Sequence, residues 1–380
     1  MDIQGTCANA RVYISNNEST AIDPQAIHQI QLICDQEFAL NARIRVMPDV
    51  HPGKFGPIGL TMTVSDKINP NLIGIDIGCG MTIAQIKAKK TECQKLDSVI
   101  RDCVPSGFSS RKKVHRFADE FDFDELRCQR HIQHQKALLS LGTLGSGNHF
   151  IEVDKDDDGN LYLVVHSGSR SLGKAVTEYY LNMGQQKFRN LGLDIPYEMT
   201  WLDYKLKEDY IHDLTVVQKY ASLNRKIIID EITEGMHWKI IDCYQCIHNY
   251  IDTGEDIIAS LGAPLLRKGS VSARLNEKVV IPINMKDGII LGRGLGNSEW
   301  NFSAPHGSGR IIKRTEVQNS HTVSEFKATM QGIYSSSIGK GTLDEAPFAY
   351  RGINDIIDVI GDTVQTDKII RPVYNFKAGN

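Results

Sequence analysis

Asp76 and Cys79 stand three residues apart in Asp-Ile-Gly-Cys-Gly, near the end of a stretch, Met47 to Met81, that opens on Asp49-Val-His51 and a glycine-rich turn. A carboxylate and a thiol within one turn offer a hard and a soft donor to the same small region, and glycine lets backbone approach whatever they hold. Three histidines share that setting: His149 in Gly145-Ser-Gly-Asn-His-Phe, His166 in His-Ser-Gly-Ser-Arg170, and His306 in Pro-His-Gly-Ser-Gly-Arg310. Gly/Ser loops present backbone N–H groups to anionic oxygens, an arginine fork binds phosphate through paired bonds, and imidazole suits borderline metals such as zinc or manganese. These residue types together point to metal-assisted phosphoryl or nucleotidyl transfer.

The elements that must position them follow from local pattern. A strand is expected at Ala10 to Ile14, then a helix whose N-cap is Asp23 with Pro24 at its first position and Ile27, Ile30 and Cys34 on one face. Strands at Ile44 to Met47, Leu60 to Ser65 and Gly74 to Lys87 place Asp76 and Cys79 among strand formers and the opening motif on loops. Lys95 to Gln135 reads as charged and helical, with Arg111-Lys112-Lys113 as a solvated face. Thr143 to His149 is a turn leading into a hairpin, Phe150 to Val153 and Leu161 to His166, closed by Asp156-Asp-Asp-Gly-Asn160. Leu206 to Ile232 carries a long apolar stripe through Tyr210, Leu214, Val217, Ala221 and Ile228. A second helix is expected through Trp238, Ile241 and Ile247, making Cys243 and Cys246 buried thiols on an apolar helix and His248 part of an amphipathic run. Two strands follow in Lys278 to Arg293, a long loop in Asn297 to Gly309, and a short helix in Ile353 to Gly361.

The chain has 380 residues, 41% of them hydrophobic, enough for a substantial core. No repeat, low-complexity segment or Pro/Ser-rich linker divides it, so residues 1–380 read as a single large mixed domain of α+β class, with central β-sheets flanked by helices. A net charge of -3 excludes a globally basic nucleic-acid binder and leaves that task to a local surface. Eight cysteines without framework spacing and no leader pattern are expected to stay reduced in a cytoplasmic protein. No apolar run approaches the ~20 residues that span a bilayer, so no membrane partner is expected.

Taken in order, Met47–Met81, Gly142-Thr-Leu-Gly-Ser-Gly-Asn-His-Phe-Ile-Glu152, His166-Ser-Gly-Ser-Arg170, Arg267-Lys-Gly269, His306-Gly-Ser-Gly-Arg310, Asp344-Glu-Ala-Pro347 and Phe376-Lys377 closely resemble the motifs of the RtcB family of RNA ligases. The resemblance implies an enzyme that uses GTP and two manganese ions to join an RNA 3'-phosphate or 2',3'-cyclic phosphate end to a 5'-hydroxyl end. Residue by residue, it implies Cys79 as the ligand bridging two Mn2+ ions, with His149 and His166 completing one set and Asp76 and His248 the other. His306 would be the nucleophile that takes up GMP. Asn148, Phe150, Glu152, Asn284, Tyr350 and Lys377 would contact the guanylate, and Arg170 and Arg310 would contact phosphate or RNA. The implied course is attack of His306 on the α-phosphorus of GTP, transfer of GMP to the RNA 3'-phosphate, and attack by the 5'-hydroxyl with release of GMP.

One segment departs from the family pattern. Pro282-Ile-Asn-Met285 and Lys286-Asp-Gly-Ile289 stand where Pro-Gly-Ser-Met and a following serine are usual, so a reshaped guanylate pocket is expected. The chain is also shorter than many relatives, like a divergent branch coupled to a release-factor-like partner, which implies repair of broken tRNA or rRNA. Two other readings use the same residues: a metal-dependent RNA-end phosphoesterase without ligation, and a non-catalytic RNA-end-binding protein. Asp154 to Gly159 imitates an EF-hand loop but has Val165 where a bidentate Glu is required, and Gly332 to Lys340 lacks phosphate-loop spacing. The first reads as a hairpin turn and the second as a flexible surface loop.

Overall fold

The computed structural model describes residues 1–14, 21–88 and 90–378. Two sheets organise it. The first has six strands in the order Asp2–Gln4, Asn9–Val12, Arg43–His51, Ile58–Thr63, Leu265–Lys268, Asn249–Asp252. The second has seven: Lys239–Ile247, Gly80–Lys87, Leu161–Ser167, Phe150–Lys155, Val364–Lys377, Gly288–Gly294 and Lys278–Asn284. All neighbours pair antiparallel except Asn9–Val12 with Arg43–His51, and the helices pack on the sheets rather than alternating with the strands, which makes the fold α+β.

Local rules account for several elements. Asp23 accepts from the Gln25 backbone N–H and caps the helix Pro24–Cys34, whose Ala26, Ile30, Ile33 and Cys34 are buried. The helix Tyr204–Met236 runs 33 residues and stops at His237, which adopts φ 55 and closes the C-terminus in the left-handed conformation. The turn at Asp156 forms as a hairpin turn should, with the Asp156 carboxylate accepting from the Asn160 backbone at 2.8 Å.

Several expectations are corrected. Lys239–Ile247 is an edge strand, paired with Gly80–Lys87, where a second helix was expected; the residues are β-branched and aromatic, and the left-handed His237 has already broken the helix. In consequence Cys243 is exposed while Cys246 is buried, so they are not a pair of buried helical thiols. The strand expected from Gly74 begins only at Gly80, because Gly74 (φ 85) and Gly78 (φ 68) turn the chain and leave Ile75 exposed. Lys95 to Gln135 is helical only over Cys93–Cys103, after which Pro105 and a series of short 3-10 turns carry it to a helix at His134–Ser140. Gly332 to Lys340 is tied down: Tyr334 donates its N–H to Val373 and accepts from Asn375, and Ser336 bonds Asp97. Ser303–Pro305, within the expected loop at 297–309, pairs with Ser270–Ser272. A helix at Arg170–Asn190 and a final strand at Val364–Lys377 were not anticipated.

Candidate metal and nucleotide site

The expected donors converge where the two sheets meet. Cys79 precedes the strand Gly80–Lys87, His166 ends Leu161–Ser167, His149 stands just before Phe150–Lys155, and His248 joins Lys239–Ile247 of one sheet to Asn249–Asp252 of the other. Close packing forces several glycines here. A Cβ on Gly80 would lie 2.5 Å from the Cys246 carbonyl, and one on Gly168 2.1 Å from Asp76 Oδ1.

Two groups of donors form, each with ligand atoms within 4.8 Å of one another: Cys79, His166 and His248, and Asp76, Cys79 and His149. Cys79 Sγ lies 3.3 Å from His166 Nε2 and 3.4 Å from His149 Nε2, and His166 Nε2 is 3.4 Å from His248 Nε2. Cys79 is therefore common to both groups. The division of the other ligands differs. The resemblance pairs His149 with His166 and Asp76 with His248, whereas His149 Nε2 faces Asp76 Oδ2 at 2.9 Å and His166 faces His248.

The rings are oriented from behind. His149 Nδ1 donates to the Leu144 carbonyl at 2.9 Å and His166 Nδ1 to the Asn148 carbonyl at 3.1 Å, since a carbonyl can only accept. Their Nε2 lone pairs thus face the centre, the arrangement that metal-binding imidazole requires. Burial holds His166 and His248 well below the usual histidine range, with neighbouring histidines adding to it, so both rings are neutral. Burial, then the charge of Asp76, raises the Cys79 thiol well above its ordinary value. Lone pairs of sulfur, nitrogen and oxygen thus face one another, and among the described residues His248 Nδ1 is buried without a hydrogen-bond partner. This donor set fits divalent metal ions.

Two residues of the long helix hold these loops and escaped the sequence reading. Arg225 is fully buried; its Nη1 donates to the carbonyls of Gly78 and Ser167, both at 2.8 Å, stapling the Cys79 loop to the His166 strand. Asn224 Oδ1 accepts from the N–H groups of Gly142 and Thr143, while its Nδ2 donates to Ser167 Oγ at 3.0 Å. Arg170, at φ 54 on the first turn of its helix, lies over the same glycine-rich loop, so close that a Cβ on Gly145 would meet its guanidinium at 2.1 Å.

His306 sits beside the cluster, its ring centroid 4.8 Å from that of His248. Asp49, with no exposure at all, accepts from His306 Nδ1 at 2.7 Å and from the His306 backbone N–H at 3.2 Å. Nε2 is left as the free lone pair of the ring. Asp49 thus has a role in orienting His306 that its place in the opening motif did not disclose; only the return of a segment 257 residues away reveals it. His51 Nδ1 donates to the Asp49 carbonyl at 2.9 Å. Burial pulls the His51 pKa down to about 4, so its ring is neutral.

A solvent-open cleft runs from His166 and His306 past Phe150, Glu152 and Lys377 to Tyr350 and Arg310. Asn148, on the loop before His149, and Asn284 also line it. Asn284 is largely spent on its own turn: Oδ1 accepts from the N–H groups of Lys286 and Asp287, and Nδ2 donates to Asp287. Ile283 and Ile289 are buried in the second core cluster and form part of the wall, so the departing segment makes this side apolar. Glu345, also missed, anchors the charged end. It takes Arg310 Nη2 at 2.8 Å, Arg314 Nη1 at 2.5 Å and Lys377 Nζ at 2.8 Å, and the Tyr350 hydroxyl at 2.6 Å. Its motif, Asp344-Glu-Ala-Pro, was the available signal.

The sequence model of the family described as "tRNA-splicing ligase RtcB" matches residues 35–127 and 123–378. The chain is 30% identical over 375 residues to the RNA-splicing ligase RtcB of Escherichia coli strain K12, covering 88% of this chain and 90% of that one. It is 28% identical over 358 residues to RNA-splicing ligase RtcB2 of another Escherichia coli strain, covering 88% of each. To the tRNA-splicing ligase RtcB of Pyrobaculum aerophilum it is 23% identical over 414 residues, covering 86% of this chain and 85% of that one.

Proposed function

The chain belongs to the RtcB family, and from that premise we propose that it is an RNA ligase that joins 3'-phosphate or 2',3'-cyclic phosphate ends to 5'-hydroxyl ends with GTP. The observation that carries the reading is the pairing of His306 Nδ1 with buried Asp49 at 2.7 Å, which leaves Nε2 free to act as a nucleophile beside the donor cluster and at the edge of the open cleft. His306 attacks the α-phosphorus of GTP, forming an N–P bond as the bond to pyrophosphate breaks. Asp49 holds the Nδ1 proton and stabilises the ring as its charge rises. The RNA 3'-phosphate then displaces the histidine, and the 5'-hydroxyl finally displaces GMP.

Asp76, Cys79, His149, His166 and His248 would hold two manganese ions, with Cys79 serving both. When bound, such ions offset charge on phosphoryl oxygens and acidify water for opening a cyclic phosphate. Arg310 and Lys377, both on the cleft and both held by Glu345, suit phosphate contacts, and Arg170, bonded to Thr143, would serve from the glycine-rich loop before His149. Glu152 suits guanine because a carboxylate accepts from N1–H and the exocyclic amine together; Phe150, Asn148, Asn284 and Tyr350 complete that side. His248 joins a strand of one sheet to a strand of the other, which supports reading residues 1–380 as one catalytic unit. The free cysteines suit a reducing, cytoplasmic setting, and no helix among the described residues is long and apolar enough to cross a membrane. Broken tRNA or rRNA is the substrate class, with a release-factor-like protein as partner.

The test is incubation with α-labelled GTP and manganese. Label should remain on the wild-type protein and be absent from His306→Ala, and defined RNA ends should be joined only by the former. A wild type that takes no label from any nucleotide would overturn the ligase reading, and end-processing that persists without GTP would replace it with a phosphoesterase.

A further inference from the structure

Next to Glu152 a second carboxyl is buried that the proposed chemistry leaves unused. Asp154 follows Glu152 by two along the strand Phe150–Lys155, so both side chains leave the same face. That face packs with Phe150, Tyr162, Val164 and Ile370. Glu152 is 3% exposed and Asp154 not at all. Asn375 Nδ2 donates to Glu152 Oε2 at 2.6 Å, and the Lys377 ammonium favours a negative charge there. Asp154 has no such support. Its cross-strand neighbours are Tyr162 and Pro372; the Tyr162 hydroxyl donates to Asp156 instead, as does Lys368. Among the described residues, both Asp154 oxygens and Glu152 Oε1 are buried without a partner.

Two ionised carboxylates cannot share such a place, because burial penalises each charge and each penalises the other. A proton between them gives Glu152 Oε1 and one Asp154 oxygen the partner they lack. Its position follows from the surroundings: Asn375 and Lys377 favour charge on Glu152, and nothing favours it on Asp154. Burial raises both carboxyl groups above their ordinary range, and the Glu152 charge pushes Asp154 up further.

The position of the proton matters to the cleft. A carboxylate at Glu152 accepts from two donors and suits the guanine edge; a protonated Glu152 would pair an O–H and a carbonyl with the acceptor and donor of adenine. We propose that Asp154 is a specificity-determining residue, kept as a neutral acid that donates to Glu152 Oε1 and so holds Glu152 in the form that selects guanine over adenine. The proposal rests on the reading of Glu152 as the base contact.

Infrared spectra of the wild type and Asp154→Asn in heavy water at about pH 8, where ordinary carboxyl groups are ionised, test the proton directly. The carbonyl band of a neutral carboxylic acid should be present in the wild type and absent in Asp154→Asn. Binding of GMP and AMP, which carry no pyrophosphate to lose, tests the consequence. Asp154→Asn keeps a donor and should keep the preference for GMP, whereas Asp154→Leu should lose about tenfold or more of it, the worth of one hydrogen bond to a charged group. A wild type without the band, a band that survives in Asp154→Asn, or undiminished discrimination in Asp154→Leu would overturn the proposal. Should Asp154→Leu not fold, the infrared comparison decides alone. A wild type that shows the band yet prefers neither purine would instead remove Glu152 as base contact and leave the Asp154 proton in place.

Discussion

The two ends of the site are held together by opposite means. At the donor cluster, imidazole rings are aimed by backbone carbonyls, the Cys79 and His166 loops are stapled by Arg225, and glycines admit the close approach. At the far end of the cleft, charged side chains hold one another: Arg310, Arg314 and Lys377 surround Glu345, and Arg314 also meets Asp344 at 2.6 Å. The first end brings no lysine or arginine among its donors and fits cations from outside. The second brings its own, three cations against two carboxylates, and so carries an excess of positive charge towards phosphate oxygens. The difference teaches that the donor end is held by backbone shape, whereas the far end of the cleft is held by charge balance, with Ile283 and Ile289 as an apolar wall beside it.

Four substitutions would break or sharpen that contrast. Cys79→Ala removes the atom common to both donor groups, so elemental analysis should find manganese reduced from about two ions to less than about one, with label transfer down by about a thousandfold or more. Two ions retained would show that the donor end does not depend on a shared ligand. Glu345→Gln should cost about 3–5 kcal/mol in denaturant unfolding, because it leaves buried cations without their counter-charge. Its pH dependence follows from the direction of its shift. Burial opposes the Glu345 charge, but Lys377 and the two arginines outweigh it and hold the folded carboxyl below its ordinary value of 4.5. The stability it lends is therefore full above about pH 4.5 and is lost as the pH falls, a slope that Glu345→Gln should reduce.

Asp49→Asn keeps the shape around His306 but removes the charge that stabilises its ring, so labelling by GTP should fall by about a hundredfold or more while manganese content stays unchanged. Loss of metal along with activity would mean that the two ends are not separable. Arg225→Met fills most of the same space yet leaves the Gly78 and Ser167 carbonyls without their donor. Manganese affinity, measured by calorimetry, should weaken by about 10–100-fold, the usual effect of removing support behind a ligand, while nucleotide binding at the Glu345 end should change little.

How far the sequence disclosed this arrangement varies with the kind of signal. Asp76, Cys79, His149, His166 and His306 announced themselves because glycine and serine around a donor are costly for mere architecture, and that signal is local. The helix from Leu206 was visible through its apolar stripe, but the stripe also hid Asn224 and Arg225, which fall between Ala221 and Ile228 on the buried side. A polar pair on such a stripe is the trace they left. The strand Lys239–Ile247 was misread because edge strands, exposed on both faces, lose the alternation that marks a strand. Val364–Lys377 escaped for a related reason: its register shifts against both neighbouring strands, so no single period runs through it.

By itself, then, the order of residues determined the donor types, the glycine-rich loops that carry them, the hairpin, the capped first helix and the mixed α+β class, since each rests on contacts within a few positions of the chain. Which donors face which was decided only by the tertiary structure, because the sheets bring together atoms from residues 76, 79, 149, 166 and 248. The same is true of Asp49 behind His306 and of Asp154 behind Glu152. An aspartate reads alike wherever it stands in a sequence; whether it orients a ring, or must keep its proton, depends on what the fold packs against it.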